Sequence, residues 1–247
     1  SSMSLARKAM GKKWELPNTL LGGTTAMRLA GKKYLPQETA ELDPAYANRI
    51  ARSFLLNAYR DAVDSTAGKP FAHDIVIGES TPDEIEDLCH NIDLCGRTIT
   101  QFAADIMKTG WHYGLAHFMV DYPVVNTIPT VAQEKAEGLR PFFVSINPED
   151  VLGWRSQRIN GIQTLTQLRI REDSVEPKGE FGEEIVCRIR VYTLKFIGVS
   201  SDIPTPSIQG HVSWILYKKE SQKWIEEDSG ALLNMDRIPL VTFYVAR

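Results

Sequence analysis

The chain has 247 residues, 43% of them apolar and 24% charged, with a net charge of −3. That length holds one large domain or two smaller ones, and the composition is that of a folded globular protein, not of a chain disordered throughout. No apolar run approaches the roughly 18–20 residues that cross a bilayer, and the basic N-terminus lacks the apolar stretch of a secretory signal. Cys89, Cys95 and Cys187 are an odd number and no N-x-Ser/Thr sequon is present, so a reducing, cytosolic place of synthesis is expected.

Residues 1–36 carry Arg7, Lys8, Lys12, Lys13, Arg28, Lys32 and Lys33 against the single acid Glu15, a segment charge of +6 that leaves −9 on residues 37–247. With Pro17, Gly22-Gly23 and Gly31 and little periodicity, this stretch reads as an arm with one short helical turn around Thr25–Leu29. A basic arm on an acidic body points to a negative partner: nucleic acid or an acidic surface of a neighbouring subunit. The plain alternative is a solvated tail.

Helices follow. Asp43-Pro44 places a cap before a proline in the first turn. Tyr46, Ile50, Phe54 and Ala58 then recur at i+4, predicting one helix that ends before Gly68-Lys69-Pro70. Thr81-Pro82-Asp83-Glu84 reads as a capping box, and its helix buries Ile85, Leu88, Cys89 and Ile92 until Gly96 stops it. Thr98-x-x-Gln101 is a second capping box, opening a helix with Ile99, Phe102, Ala103 and Ile106 inward that runs to Gly110–Gly114.

Leu115–Tyr122 reads as a buried strand. Thr130-x-x-Gln133 opens a short fourth helix closed by Gly138, and Pro141–Ile146 is a second strand. Alternation then takes over, in Gln163–Ile170 and Glu184–Phe196. A hairpin is expected about Glu220-Ser221-Gln222, between His211–Lys218 and Lys223–Glu227, and a last strand over Ile238–Val245. Asp173–Glu184 and Ser200–Gln209 read as polar loops.

The expected fold is therefore α+β: a helical N-terminal part with short strands, packed on a β-rich antiparallel sheet or small barrel. The segments are an arm (1–36), a mainly helical part (37–146) and a β-rich module (147–247).

Candidate chemistry is sparse. Gly31-Lys32-Lys33 is no phosphate loop, because Ala26 and Lys33 occupy positions that need glycine and Ser or Thr. Cys89 and Cys95 lie too far apart for a zinc pair, and Cys89 falls on an apolar stripe. His112, His117 and Asp121 are the most enzyme-like group. His117 and Asp121 share a strand face with Met119 between them, but no G-x-S-x-G or H-E-x-x-H accompanies them, and structural histidines are the plainer reading. Glu84, Glu86, Asp87 and Asp93 read as a solvated helix face. The five tryptophans are dispersed and read as core or subunit-contact residues. No catalytic, cofactor or metal site is expected.

A series of short motifs runs nearly the length of the chain. It opens with Trp14, Gly23-Thr24-Thr25-Ala26-Met27-Arg28 and Lys33-Tyr34-Leu35-Pro36. It continues through Tyr46-x-x-Arg49, Leu56-Asn57, Gly68-Lys69-Pro70-Phe71, Asn91-Ile92-Asp93-x-x-Gly96, Gly114 and Val120-Asp121-Tyr122-Pro123. Leu139-Arg140-Pro141-Phe142, Asn147-Pro148-Glu149-Asp150, Gly153-Trp154-Arg155, Leu165-Thr166-Gln167-Leu168-Arg169 with Glu172, and Arg237-Ile238-Pro239 complete it. In this order the motifs resemble the portal proteins of tailed bacteriophages. The resemblance implies a non-enzymatic structural protein of the virion. It implies a dodecameric ring at one capsid vertex that contacts capsid and scaffold proteins, docks terminase and neck or tail adaptors, and passes duplex DNA, with no membrane role. The matched region resembles the peripheral wing of such a ring, without the channel-lining stem, clip or crown. The competing expectations are a head–tail adaptor or neck protein, and a nucleic-acid-processing enzyme using His112, His117 and Asp121.

Overall fold

A computed structural model describes residues 3–123, 138–159, 161–196, 210–232 and 235–245. The chain forms two compact units, each assembled from separated stretches. Met10–Ala116 and Thr242–Arg247 make a helical unit, and Ser1–Ala9 and His117–Val241 make a sheet unit. The division falls at Ala116/His117, whereas the change of sequence texture placed it after residue 146.

The N-terminal stretch is not an arm. It forms helix α1, Leu5–Ala30, with Pro17 inside it and a kink at Gly23 (φ 71°, ψ −152°). Residues 5–16 are mostly Leu, Ala, Met, Lys, Arg and Glu, all good helix formers, and this outweighs the scattered breakers. Trp14 pins the helix down: it is buried, its Nε1 donates to Tyr113 O at 3.0 Å, and its ring meets that of Tyr113 edge-on at 5.0 Å.

The single helix expected over residues 44–67 is two helices, α2 (Asp43–Arg52) and α3 (Ala58–Gly68). Ser53 leaves α2 in an extended conformation. Asn57 opens α3, its Oδ1 accepting from Arg60 N at 3.0 Å. A side chain that caps a new helix ends the old periodicity, so Phe54 is exposed instead of buried.

Helix α4, Asp83–His90, starts after Pro82 without a side-chain cap, so the capping box read at Thr81 does not form. It also stops short of Gly96, because the next turn is closed by side chains. Asn91 Oδ1 accepts from Gly96 N, and Asp93 Oδ1 accepts from Cys95 N and Arg97 N. Ile85 is exposed, while Cys89 and Ile92 are buried as their spacing predicts.

Helix α5, Ile99–Tyr113, has both bonds of the Thr98–Gln101 capping box and ends on Gly114 at φ 82°. Phe102 and Ile106 face inward.

Strand β1, Leu115–Asp121, pairs antiparallel with β2, Phe142–Ile146. With β10, Leu240–Tyr244, they form a sheet in the order β10-β1-β2. The larger sheet contains β3 (Val151–Ile159), β4 (Ile162–Arg171), β7 (Arg188–Phe196), β8 (Gly210–Glu220) and β9 (Lys223–Leu232), in the order β3-β4-β7-β8-β9. Every pairing in it is antiparallel, and it is open, with β3 and β9 at its edges. Its core gathers Val151, Leu168, Ile170, Tyr192, Leu194 and Val212 with Met119, Ile146 and Ile238. The hairpin turns at Ser221, which takes a positive φ.

One expected loop, 173–184, is instead mostly a hairpin of β5 (Ser174–Lys178) and β6 (Gly182–Val186), so the alternation expected over 184–196 is divided between β6 and β7. The expected helix at Thr130–Gly138 and loop at Ser200–Gln209 lie outside the described residues. The α+β class holds. No helix among the described residues is long and apolar enough to cross a membrane.

Candidate functional site

Folding into α1 changes what the basic residues can do. Arg7 is buried, and its Nη2 donates to Glu149 O at 3.0 Å. Arg28 donates from Nε and Nη2 to Ser53 O at 2.9 and 2.7 Å. Lys32 Nζ lies 5.6 Å from the centre of the Tyr46 ring. Lys33 Nζ lies 2.6 Å from Glu15, and this pairing holds the Glu15 carboxyl below its ordinary pKa and the Lys33 amine above. Lys8, Lys12 and Lys13 remain, all exposed on α1. The solvated-tail reading does not survive, and only part of the +6 segment is presented outward.

His112, His117 and Asp121 are divided between the units. In the helical unit, His112 is buried with both ring nitrogens engaged: Nδ1 lies 3.1 Å from Tyr59 OH and Nε2 lies 2.7 Å from Asn18 Oδ1. Nε2 donates to the amide oxygen, and Nδ1 shares a hydrogen bond with the phenol. In the sheet unit, His117 stands opposite Ile146 on β1, and burial pushes its pKa down to about 4. Asp121 ends the same strand, and its Oδ1 accepts from Tyr122 N at 2.8 Å.

Asp121 also borders a cleft of about 180 Å³ with Ser145, Asp150, Arg171, Glu172 and Tyr192. Its charges are largely matched. Arg171 Nη2 meets Asp150 at 2.6 Å, and Arg190 Nε meets Glu172 at 2.8 Å while its guanidinium lies 4.4 Å from the centre of the Trp214 ring. Burial raises the Tyr192 pKa, so its hydroxyl stays protonated at neutral pH. Asp150 and Glu172 thus each lie against a guanidinium group. Among the described residues, no group of three or more His, Cys, Asp or Glu is placed to hold a metal ion.

Many motif residues take structural posts. Gly23 makes the kink of α1, and Asn57 caps α3. Asn91 and Asp93 close the turn after α4. Asn147 Oδ1 accepts from Glu149 N at 2.9 Å, and Pro148 beside it is fully buried. Arg49 clasps Glu41 through Nε and Nη2, both at 2.8 Å, and Nη2 also donates to Pro36 O. No protein-family model matches this chain, and no curated protein matches it.

The surface is distinguished by large apolar side chains left in solvent. In the helical unit Leu29 (84% exposed), Leu42 (75%), Phe54 (77%), Leu56 (76%) and Val76 (90%) are open. In the sheet unit Phe181 (91%) and Ile185 (72%) stand on the β5–β6 hairpin. Exposed apolar residues are ordinary on a folded chain when scattered singly. Sequence reasoning missed Phe54 and Leu56 because helical spacing appeared to bury the first. The available signal was Asn57, a residue type that favours caps over helix interiors.

Proposed function

We propose that the chain is a structural subunit of a tailed-phage portal ring, and not an enzyme. In this reading it contributes peripheral wing structure to a homo-oligomer at the capsid vertex. The ring serves as a conduit for DNA packaging and ejection, and as a platform for terminase and neck or tail proteins. The observation that carries the reading is the ordered series of motifs from Trp14 to Pro239. Two features agree with it. The motif residues described above serve caps, kinks and turns, and large apolar side chains such as Phe54, Leu56, Val76 and Phe181 are exposed in the single chain, as surfaces that neighbours cover in an assembly would be.

Electron microscopy of the purified full-length gene product, scored for rotational symmetry, tests this. Rings with a central channel and roughly twelvefold symmetry are expected from a closed head-to-tail assembly. Monomers, or closed oligomers without a channel, would reject it.

A further inference from the structure

Between Lys69 and Arg97 the chain has no Lys or Arg but seven acids: Asp74, Glu79, Asp83, Glu84, Glu86, Asp87 and Asp93. Asp93 is spoken for, bound to Arg97 Nε at 2.5 Å and to two backbone amides. The other six are all exposed, and none takes part in an ion pair among the described residues. Asp83, Glu84 and Glu86 lie in the first turn of α4, where negative charge suits the helix dipole. That role does not account for Asp74, Glu79 or Asp87. The same segment exposes Val76 (90%), Ile85 (49%) and Ile75 (40%). The segment thus combines exposed apolar and acidic side chains, with His73 and His90 its only basic side chains.

The complement lies on α1 in the same helical unit. Lys12 and Lys13 are exposed and join no ion pair among the described residues. One turn further on, Leu16 is 47% exposed and lies at i+4 from Lys12 on the same helix face. The turn thus exposes two lysines and an apolar side chain, with Glu15 among them held by Lys33 and also by the Lys12 charge. Among the described residues no ion pair joins the two charge sets within one copy.

We propose that the acidic segment Asp74–Asp87 is the docking surface for the Lys12–Lys13 turn of α1 in a second copy of this chain, a head-to-tail contact. Two different patches meeting in this way make a heterologous interface, the kind that repeats around a ring or along a filament. The apolar side chains supply the buried centre, and the charges set register and partner choice. The proposal rests on the ring reading and names the surface through which neighbours join.

The test is charge exchange in the intact chain, read by sedimentation velocity at low salt and at about 1 M salt, where the Debye length is about 3 Å. K12E/K13E and, separately, E84K/D87K should each weaken self-association by about a hundredfold, since like charges are brought face to face. A chain carrying both exchanges should recover association, as should a mixture of the two variants. E79K/D87K leaves the first turn of α4 intact and should act like E84K/D87K, which separates a lost contact from a damaged helix. Circular dichroism should match the wild type throughout.

If both single exchanges assemble like the wild type, the proposed contact is wrong and the ring reading stands. Loss in each that the combination does not restore also overturns it, and means that these surfaces face another partner. A wild-type chain that stays monomeric at every concentration and salt overturns the ring reading and this contact with it.

Discussion

His117 stands on β1 opposite Ile146, where burial holds its pKa at about 4. In the unfolded chain an imidazole titrates near 6.5. Between these values the unfolded state binds a proton that the folded state refuses. Stability is therefore intact above about pH 6.5 and falls as the pH drops towards 4, by roughly 3 kcal/mol in all. Carboxylates held low by partners, such as Asp93, where burial opposes the charge but hydrogen bonds from Arg97 and two backbone amides outweigh it, lose their contribution only at lower pH. We predict that His117→Gln flattens the urea-unfolding midpoint between about pH 6.5 and 4.5. An unchanged slope would assign the loss to another group. The sequence showed that His117, Met119 and Asp121 share a strand face, because strand period is local. It did not show that His112 is held by Asn18 and Tyr59, since those hydrogen bonds link residues distant in the chain.

Elements were legible where a short-range device defines them. The Thr98–Gln101 capping box and the left-handed Gly114 bound α5 as read, β1 and β2 follow their short apolar runs, and β4 and the β8–β9 hairpin follow the expected alternation and turn. Errors arose where a distant partner decides the outcome. Helix α1 was hidden by Pro17 and its glycines, and is held by Trp14 on Tyr113 and Arg28 on Ser53. The β5–β6 hairpin is hidden by charge, because Arg188 draws together Ser174, Glu176 and Glu227 at its base. Gly23 is the element-scale test. Its φ of 71° with ψ of −152° is a region open to almost no other residue, and an added Cβ would lie 3.4 Å from Asn57 Nδ2. Gly23→Ala is expected to cost about 1–3 kcal/mol and to lower the thermal midpoint of the helical unit, while a substitution at the exposed Ala9 leaves it unchanged. Equal midpoints would mean that the kink is not obligatory.

At the scale of the whole molecule, composition and texture gave the α+β class, and the open five-stranded sheet is the simpler of the two expected β architectures. The division into units was not legible, because both are built from non-contiguous stretches. The sheet unit takes in Ser1–Ala9, where Ser4 N donates to Leu152 O at 2.9 Å and Arg7 Nη2 to Glu149 O at 3.0 Å. A bond from a charged donor at a buried position is worth about 1.5–3 kcal/mol. Arg7→Ala should therefore lower the sheet unit's unfolding free energy by about that amount, followed by the fluorescence of Trp154, Trp214 and Trp224. A wild-type midpoint would show that β3 does not depend on this contact.

The interleaving also sets a timetable for synthesis. Ser4 and Arg7 are synthesised well before their partners at Leu152 and Glu149. Conversely, α1 to α5 are complete long before Val245 arrives to donate to Gly114 O at 3.2 Å. Each unit therefore includes a contact between residues made far apart in time. Until the later partner is made, the open edges of each unit are exposed to other nascent copies.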